Sequence, residues 1–157
     1  MKLLWISAFL AFALDQLSKY VVIHMMGVSP FKSIDVYPPL LRFIYGENRG
    51  INFGLGDGIS ISVLIAVAFL ICLGVLWWVW RNPQPLVAQA SAGLLIGGAL
   101  ANVADRLIYG YVLDFLNMSC CGINNPFVFN VADIFIFAGA IGLVIFGQEG
   151  KPRKKGA

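Results

Sequence analysis

Four stretches of the chain are apolar over the length of a membrane crossing, and the polar residues between them gather in short segments. A helix rises about 1.5 Å per residue, so about 20 apolar residues cross about 30 Å of hydrocarbon. Leu3 to Met25 reaches that length with Asp15 and Lys19 as interruptions; Ile59 to Trp80 carries no charge; Leu86 to Ile108 is uncharged until Asp105; Phe127 to Phe146 holds only Asp133. The pattern predicts one integral membrane domain over residues 1–157, all-α, with four transmembrane helices at 3–25, 59–80, 86–108 and 127–146. Arg81-Asn82-Pro83-Gln84-Pro85 is too short for anything but an antiparallel neighbour. Residues 27–58 are mixed, and the alternation around Leu40-Leu41-Arg42-Phe43-Ile44-Tyr45 predicts short strands in a small platform on the membrane surface.

Composition agrees. Of 157 residues, 59% are hydrophobic and only 12% charged, against about 45–50% and about 25% in soluble domains. The net charge of +3 is no nucleic-acid footprint, and nucleic acid is excluded as a partner. A single His, two Glu and three Cys with no C-x-x-C spacing leave little for a metal site, and none is expected. Lys and Arg mark the cytoplasmic side. Lys2, Arg81 and the basic tail over 148–157, with Lys151, Arg153, Lys154 and Lys155, outnumber Lys32, Arg42 and Arg49 of the long loop, so both termini are expected in the cytoplasm. The first stretch imitates a secretory signal, but Tyr20-Val21-Val22-Ile23 resumes the apolar run and extends it to spanning length.

With that orientation the intramembrane charges share one depth. Asp15 and Lys19 come late in an outward-running first span, Asp105 and Arg106 late in an outward-running third, and Asp133 early in an inward-running fourth, all near the outer leaflet. Such groups cost at least about 2.5–3.5 kcal/mol each on insertion scales and normally face a protein interior. Asp15 and Lys19, four apart, form a helical ion pair that either supports the bundle or takes part in chemistry. Asp105-Arg106 is an interfacial anchor or a clamp on something bound. Asn102 and Asn130 are interhelical glue or substrate-orienting amides.

Asp114 and Asp133 stand apart. Each is flanked by apolar residues, with no basic residue within four positions. Asp114 falls in the short outer connection or in a helical continuation of span three. Each Asp has a plain reading as a helix cap. If the fold joins them, repulsion and poor solvation leave one proton between the two near neutral pH. One carboxylate then takes a proton from an attacking water while the protonated partner stabilises the oxyanion. A Ser-His pair would have to use the interfacial His24, Cys72 lies mid-span, and Cys120-Cys121 strains against disulfide geometry. Gly93, Gly97, Gly98 and Ala101 suit close helix packing, although Gly98 could equally leave room for a ligand.

These residues together resemble the lipoprotein signal peptidase, or signal peptidase II, family. Five stretches carry the likeness: Asp15-Gln16-Leu17-Ser18-Lys19; Asn48-Arg49-Gly50-Ile51-Asn52-Phe53-Gly54; Gly97-Gly98 leading to Asn102-Val103-Ala104-Asp105-Arg106; Val112-Leu113-Asp114-Phe115; and Phe129-Asn130-Val131-Ala132-Asp133. Ala101 where Gly is usual, Ile134 where Ser is common, and the Cys120-Cys121 loop depart from the family pattern and bear on packing and loop shape. The resemblance implies an aspartic endopeptidase of the bacterial inner membrane with Asp114 and Asp133 as the catalytic dyad. It implies cleavage of a prolipoprotein before its diacylglyceryl-modified cysteine, near the outer leaflet. Asn48, Gly98, Asn102, Arg106 and Asn130 match positions around the substrate; Asp15, Lys19 and Asp105 match supporting positions. The implied fold adds an extracytoplasmic β-cradle and surface helix between spans one and two. No cofactor is implied; the expected partners are the substrate and membrane lipid, and the chain is expected to be a monomer.

The rival from another class is a small proton-coupled transporter with Asp15 or Asp133 as carrier carboxylate. Transport needs a site reachable from both sides, usually near the midplane and often between inverted repeats, and the sequence carries neither sign. A non-catalytic scaffold held by its charges is the third possibility.

Overall fold

The computed structural model describes residues 1–50, 60–120 and 125–148. The basic tail beyond Gln148, Cys121 and residues 51–59, part of the 27–58 platform for which a surface helix was expected, lie outside the described residues. Helix α1 (Lys2–Lys19) continues without a break into a wider π-helical stretch (Tyr20–Met25), in which Met26 N bonds back to Val21 O. Two strands follow, β1 (Ile34–Tyr37) and β2 (Leu41–Asn48), then α2 (Ile61–Arg81), α3 (Leu86–Tyr109), strand β3 (Val112–Met118) and α4 (Val131–Phe146). Residues 2–25, α2 and α3 are each long and apolar enough to cross a membrane; α4, with 16 residues, is shorter.

Two features differ from the sequence reading. The small sheet was expected between spans one and two, but the antiparallel sheet β1-β2-β3 recruits its third strand from the connection after α3. Gly110 ends α3 in the left-handed region (φ 79°), which favours glycine, and the chain turns back as β3 instead of continuing the helix. Asp114 is therefore a strand residue, opposite Gly46 of β2. The last helix also starts at Val131 and not at Phe127. Residue 129 pairs with Leu116 beside β3, and Asn130 caps the helix behind it.

Helix α3 is the central element, packed by α1 on one side and α4 on another. Small residues allow this: a Cβ at Gly97 would lie 2.2 Å from Ala8 O, and one at Gly98 would lie 2.6 Å from Ala132 O. Apolar packing continues through Leu4, Cys72, Val79, Ala92, Leu95 and Ile96. A second cluster of Val22, Val28 and Phe115 fastens the sheet to the end of the first helix, with Phe43 edge-on to Phe115 at 5.6 Å. Helix α2 is lipid-like over most of its surface and buries only Leu64, Cys72 and Val79.

One polar set lies wholly inside this apolar frame. Lys19 Nζ sits 2.6 Å from Asp15 Oδ2 and 2.8 Å from Asp105 Oδ2, and both carboxylates have 0% exposure. Gln16 Nε2 donates to Asp105 Oδ1 at 2.9 Å. The remaining acceptor capacity goes to backbone: Ala132 N donates to Asp15 Oδ1 at 2.8 Å and Leu113 N to Asp105 Oδ2 at 3.0 Å. Lys19→Met would leave two carboxylates buried face to face without their cation. The expected cost is about 3–5 kcal/mol, read as a marked fall in the thermal unfolding midpoint of the detergent-solubilised protein.

Candidate active site

The first turn of α4 is built by its own sequence. Asn130 Oδ1 accepts from Asp133 N at 2.9 Å, and Asp133 Oδ2 accepts from Asn130 N at 3.2 Å, a reciprocal capping box. The capping reading of Asp133 thus holds, but it uses one oxygen. The other, Oδ1, accepts from Asn102 Nδ2 at 3.0 Å, and both Asp133 and Asn102 line a groove.

Asp114 approaches from the sheet. Its Oδ2 accepts from Asn48 Nδ2 at 3.1 Å, across the β2–β3 pair, and its Oδ1 accepts from Asn130 Nδ2 at 2.6 Å. Asn130, fully buried, also donates to Asn102 Oδ1 at 3.1 Å. Two asparagine side chains therefore tie one aspartate to the other: Asn130 touches both, and Asn102 touches Asn130 and Asp133. Asp114 is 3% exposed. Burial, reinforced by the charge of Asp133, pushes its carboxyl up to about 7, against the pull of the Asn48 and Asn130 hydrogen bonds. A carboxyl so placed changes its charge near neutral pH.

Arg106 stands beside the pair. Its Nη2 donates to Gly50 O at 2.8 Å and its Nη1 to Asn102 O at 3.4 Å, while its buried Nε has no hydrogen-bond partner among the described residues. Arg106, Asn102 and Asp133 are the polar lining of a groove of about 590 Å³. Its walls are apolar, from Val63, Val67 and Ile71 of α2, Leu95 and Ala99 of α3, and Ile136 of α4. The arrangement offers a carboxyl able to hold a proton near pH 7, a second carboxylate, several amide donors and a guanidinium at the side of an apolar trough.

Of the residues singled out in the sequence, Asp114, Asp133, Asn48, Asn102, Asn130 and Arg106 form this one cluster. Gly98 does not open onto the groove; the space it leaves is filled by the α4 backbone at Ala132. Asp15, Lys19 and Asp105 contact neither aspartate of the cluster by a hydrogen bond. They hold instead the backbone of Ala132 and Leu113, the residues immediately before Asp133 and Asp114. His24 lines a separate small cavity with Lys19 and Asp105. Four residues take part in contacts to which the sequence reading gave no role: Gln16, Tyr45, Arg49 and Tyr111. Gln16 bridges Asp15 and Asp105, and its position next to Asp15 was the available signal. Tyr45 and Tyr111 share a hydroxyl hydrogen bond of 2.9 Å, and Arg49 lies over the Tyr111 ring at 5.4 Å, pairings no local pattern announces.

Residues 7–147 match the family described as Signal peptidase (SPase) II. A lipoprotein signal peptidase of Alteromonas mediterranea is 41% identical over 150 residues, covering 92% of this chain and 79% of that protein. One from Trichormus variabilis is 34% identical over 158 residues, covering 96% and 92%. A solved bacterial membrane enzyme superposes with a TM-score of 0.78 at 25% identity, over 94% of this chain and 93% of that one. A second gives 0.75 at 28% identity, over 89% and 88%. With sequence, architecture and nearly full-length matches in agreement, the chain belongs to the signal peptidase II family.

Proposed function

We propose that the chain is an intramembrane aspartic endopeptidase that removes the signal peptide of prolipoproteins, cutting before the diacylglyceryl-modified cysteine with Asp114 and Asp133 as its dyad. The observation that carries the reading is the asparagine-bridged pair of carboxyl groups, one of them holding its proton to about pH 7, beside an apolar groove. With one proton on the pair, the ionised carboxylate removes a proton from water as the water oxygen bonds to the scissile carbonyl carbon. The carbonyl π electrons move to oxygen, and the protonated carboxyl stabilises that oxyanion by a hydrogen bond. Collapse re-forms the carbonyl and breaks the C–N bond. The leaving nitrogen takes a proton from the dyad, which returns to its singly protonated state. Asn48, Asn130 and Asn102 hold the carboxyls in register, and the Arg106 Nε, with no acceptor among the described residues, is a donor for a substrate carbonyl.

The groove suits a substrate that is largely hydrocarbon, and membrane confinement supplies part of the orientation a near-attack pose requires. All four helices cross the bacterial inner membrane in this reading. For α4, about 24 Å of helix is completed at its outer end by the extended residues leading to Asn130. Lys2 and Arg81 lie on the cytoplasmic side and the dyad near the outer leaflet. The enzyme works as a monomer in contact with lipid. Asp15, Lys19 and Asp105 are positioning residues: their hydrogen bonds to Ala132 N and Leu113 N fix the backbone one residue ahead of each dyad member.

Asp114→Asn is expected to lower cleavage of a diacylated precursor by at least about 100-fold, the scale of acid–base catalysis. The same variant should stay folded. Because the folded protein holds the Asp114 proton up to about pH 7, against 3.8 unperturbed, wild type loses stability as pH rises through that window. The Asn variant lacks that loss, so at about pH 8 its melting temperature should lie at or above that of wild type. Retained cleavage in this variant would overturn the dyad. The rate should also report the shared proton: kcat/KM falls as pH rises beyond about 7, where the pair becomes doubly ionised. A pH–rate profile on the diacylated precursor checks this, and a rate still climbing at about pH 9 would contradict it.

A further inference from the structure

The end of the first helix carries a feature that the peptide-cleaving site does not use. Past Met25 and Met26 the chain reverses at Gly27 (φ 72°), and Val28 tucks into the cluster with Val22 and Phe115. Ser29 and Lys32 then exchange two backbone hydrogen bonds of 3.0 Å each, closing a tight turn with Pro30 and Phe31 at its tip. Phe31 is 100% exposed. Lys32 Nζ donates to Met26 O at 3.2 Å, which ties the turn to the outer end of the first helix and fixes its height there. The apolar residues Leu10, Leu14, Leu17, Tyr20 and Met25 are likewise exposed on that helix.

We propose that the Ser29–Lys32 turn is a lipid anchor: Phe31 seats at the boundary of acyl chains and head groups of the leaflet where the first helix emerges, and Lys32 reaches a lipid phosphate. Three observations favour phospholipid as the occupant. The turn sits at the end of a helix long and apolar enough to span, that helix exposes large apolar residues up to Met25 and Met26, and Lys32 has no carboxylate within ion-pair distance among the described residues. An aromatic ring beside a snorkelling lysine is the usual interfacial pairing. A protein partner is disfavoured because one ring on a two-residue tip is a small fraction of the about 1,200 Å² that a stable interface buries. The anchor would fasten the sheet to the membrane at a second point, apart from the helices.

The test places a nitroxide spin label at Phe31→Cys, with Cys72→Ala, Cys120→Ser and Cys121→Ser. The labelled protein is reconstituted in vesicles of phosphatidylethanolamine and phosphatidylglycerol. Collision with a water-soluble nickel chelate should fall at least about tenfold below that of the free label in buffer, while collision with oxygen stays high, as for an interfacial side chain. Nickel contact equal to that of the free label would put Phe31 in water, and low contact with both reagents would put it against protein; either result overturns the anchor. The readout does not involve cleavage, so its failure leaves the peptidase reading standing.

Discussion

A lysine ammonium buried between two carboxylates holds this structure in register. Lys19 lies within 2.8 Å of both Asp15 and Asp105, and all three are buried. Dehydrating three charges is costly, and apolar residues in such places are often no less stabilising. Stability alone therefore does not account for the set. Its distinctive product is directional: each carboxylate has capacity left after the lysine is satisfied and directs it at one backbone N–H, of Ala132 on α4 and of Leu113 on β3. Three helices and a strand meet there, and the two residues that follow those N–H groups are Asp133 and Asp114.

The arrangement separates two kinds of polar group that a membrane protein must keep distinct. The Lys19 set is closed, each of its charges answered inside the protein. The aspartate pair is left incomplete. Asp114 is buried and held by amides, Asp133 lines the groove, and Arg106 keeps a buried Nε without an acceptor among the described residues. A closed set fixes geometry, whereas an open one can exchange protons and receive a substrate. In the reading proposed above, the first exists so that the second keeps its spacing while α2, which buries few residues, forms the wall of the groove.

The helices were legible because a lipid-facing segment has to be apolar along its length, and the Asp15–Lys19 pair because four residues return a helix to one face. The cluster of Asn48, Asn102, Arg106, Asp114, Asn130 and Asp133 was legible as residue types but not as a geometry. The late start of α4 had a signature that length alone obscured: Asn130 and Asp133 have capping-box spacing, and the box sets the boundary. Gly110 after Tyr109 likewise marks a helix end, yet the strand beyond it depends on β2, more than sixty residues earlier, for its partner. Hardest to read were the acceptor pairs of Asp15 and Asp105. Their donors are backbone N–H groups, one of them 117 residues away, and backbone atoms leave no trace in residue identity.

The central claim is that the two aspartates share one proton because the fold brings them together in a poorly solvated place. Infrared titration of the carboxyl bands between about pH 5 and 9, comparing wild type with Asp133→Asn, tests it most directly. The account predicts one protonated aspartate band that disappears near pH 7 in wild type and at lower pH once the neighbouring charge is removed. If every aspartate of the wild-type protein were already ionised at about pH 5, or if the band were indifferent to Asp133→Asn, the account would be contradicted.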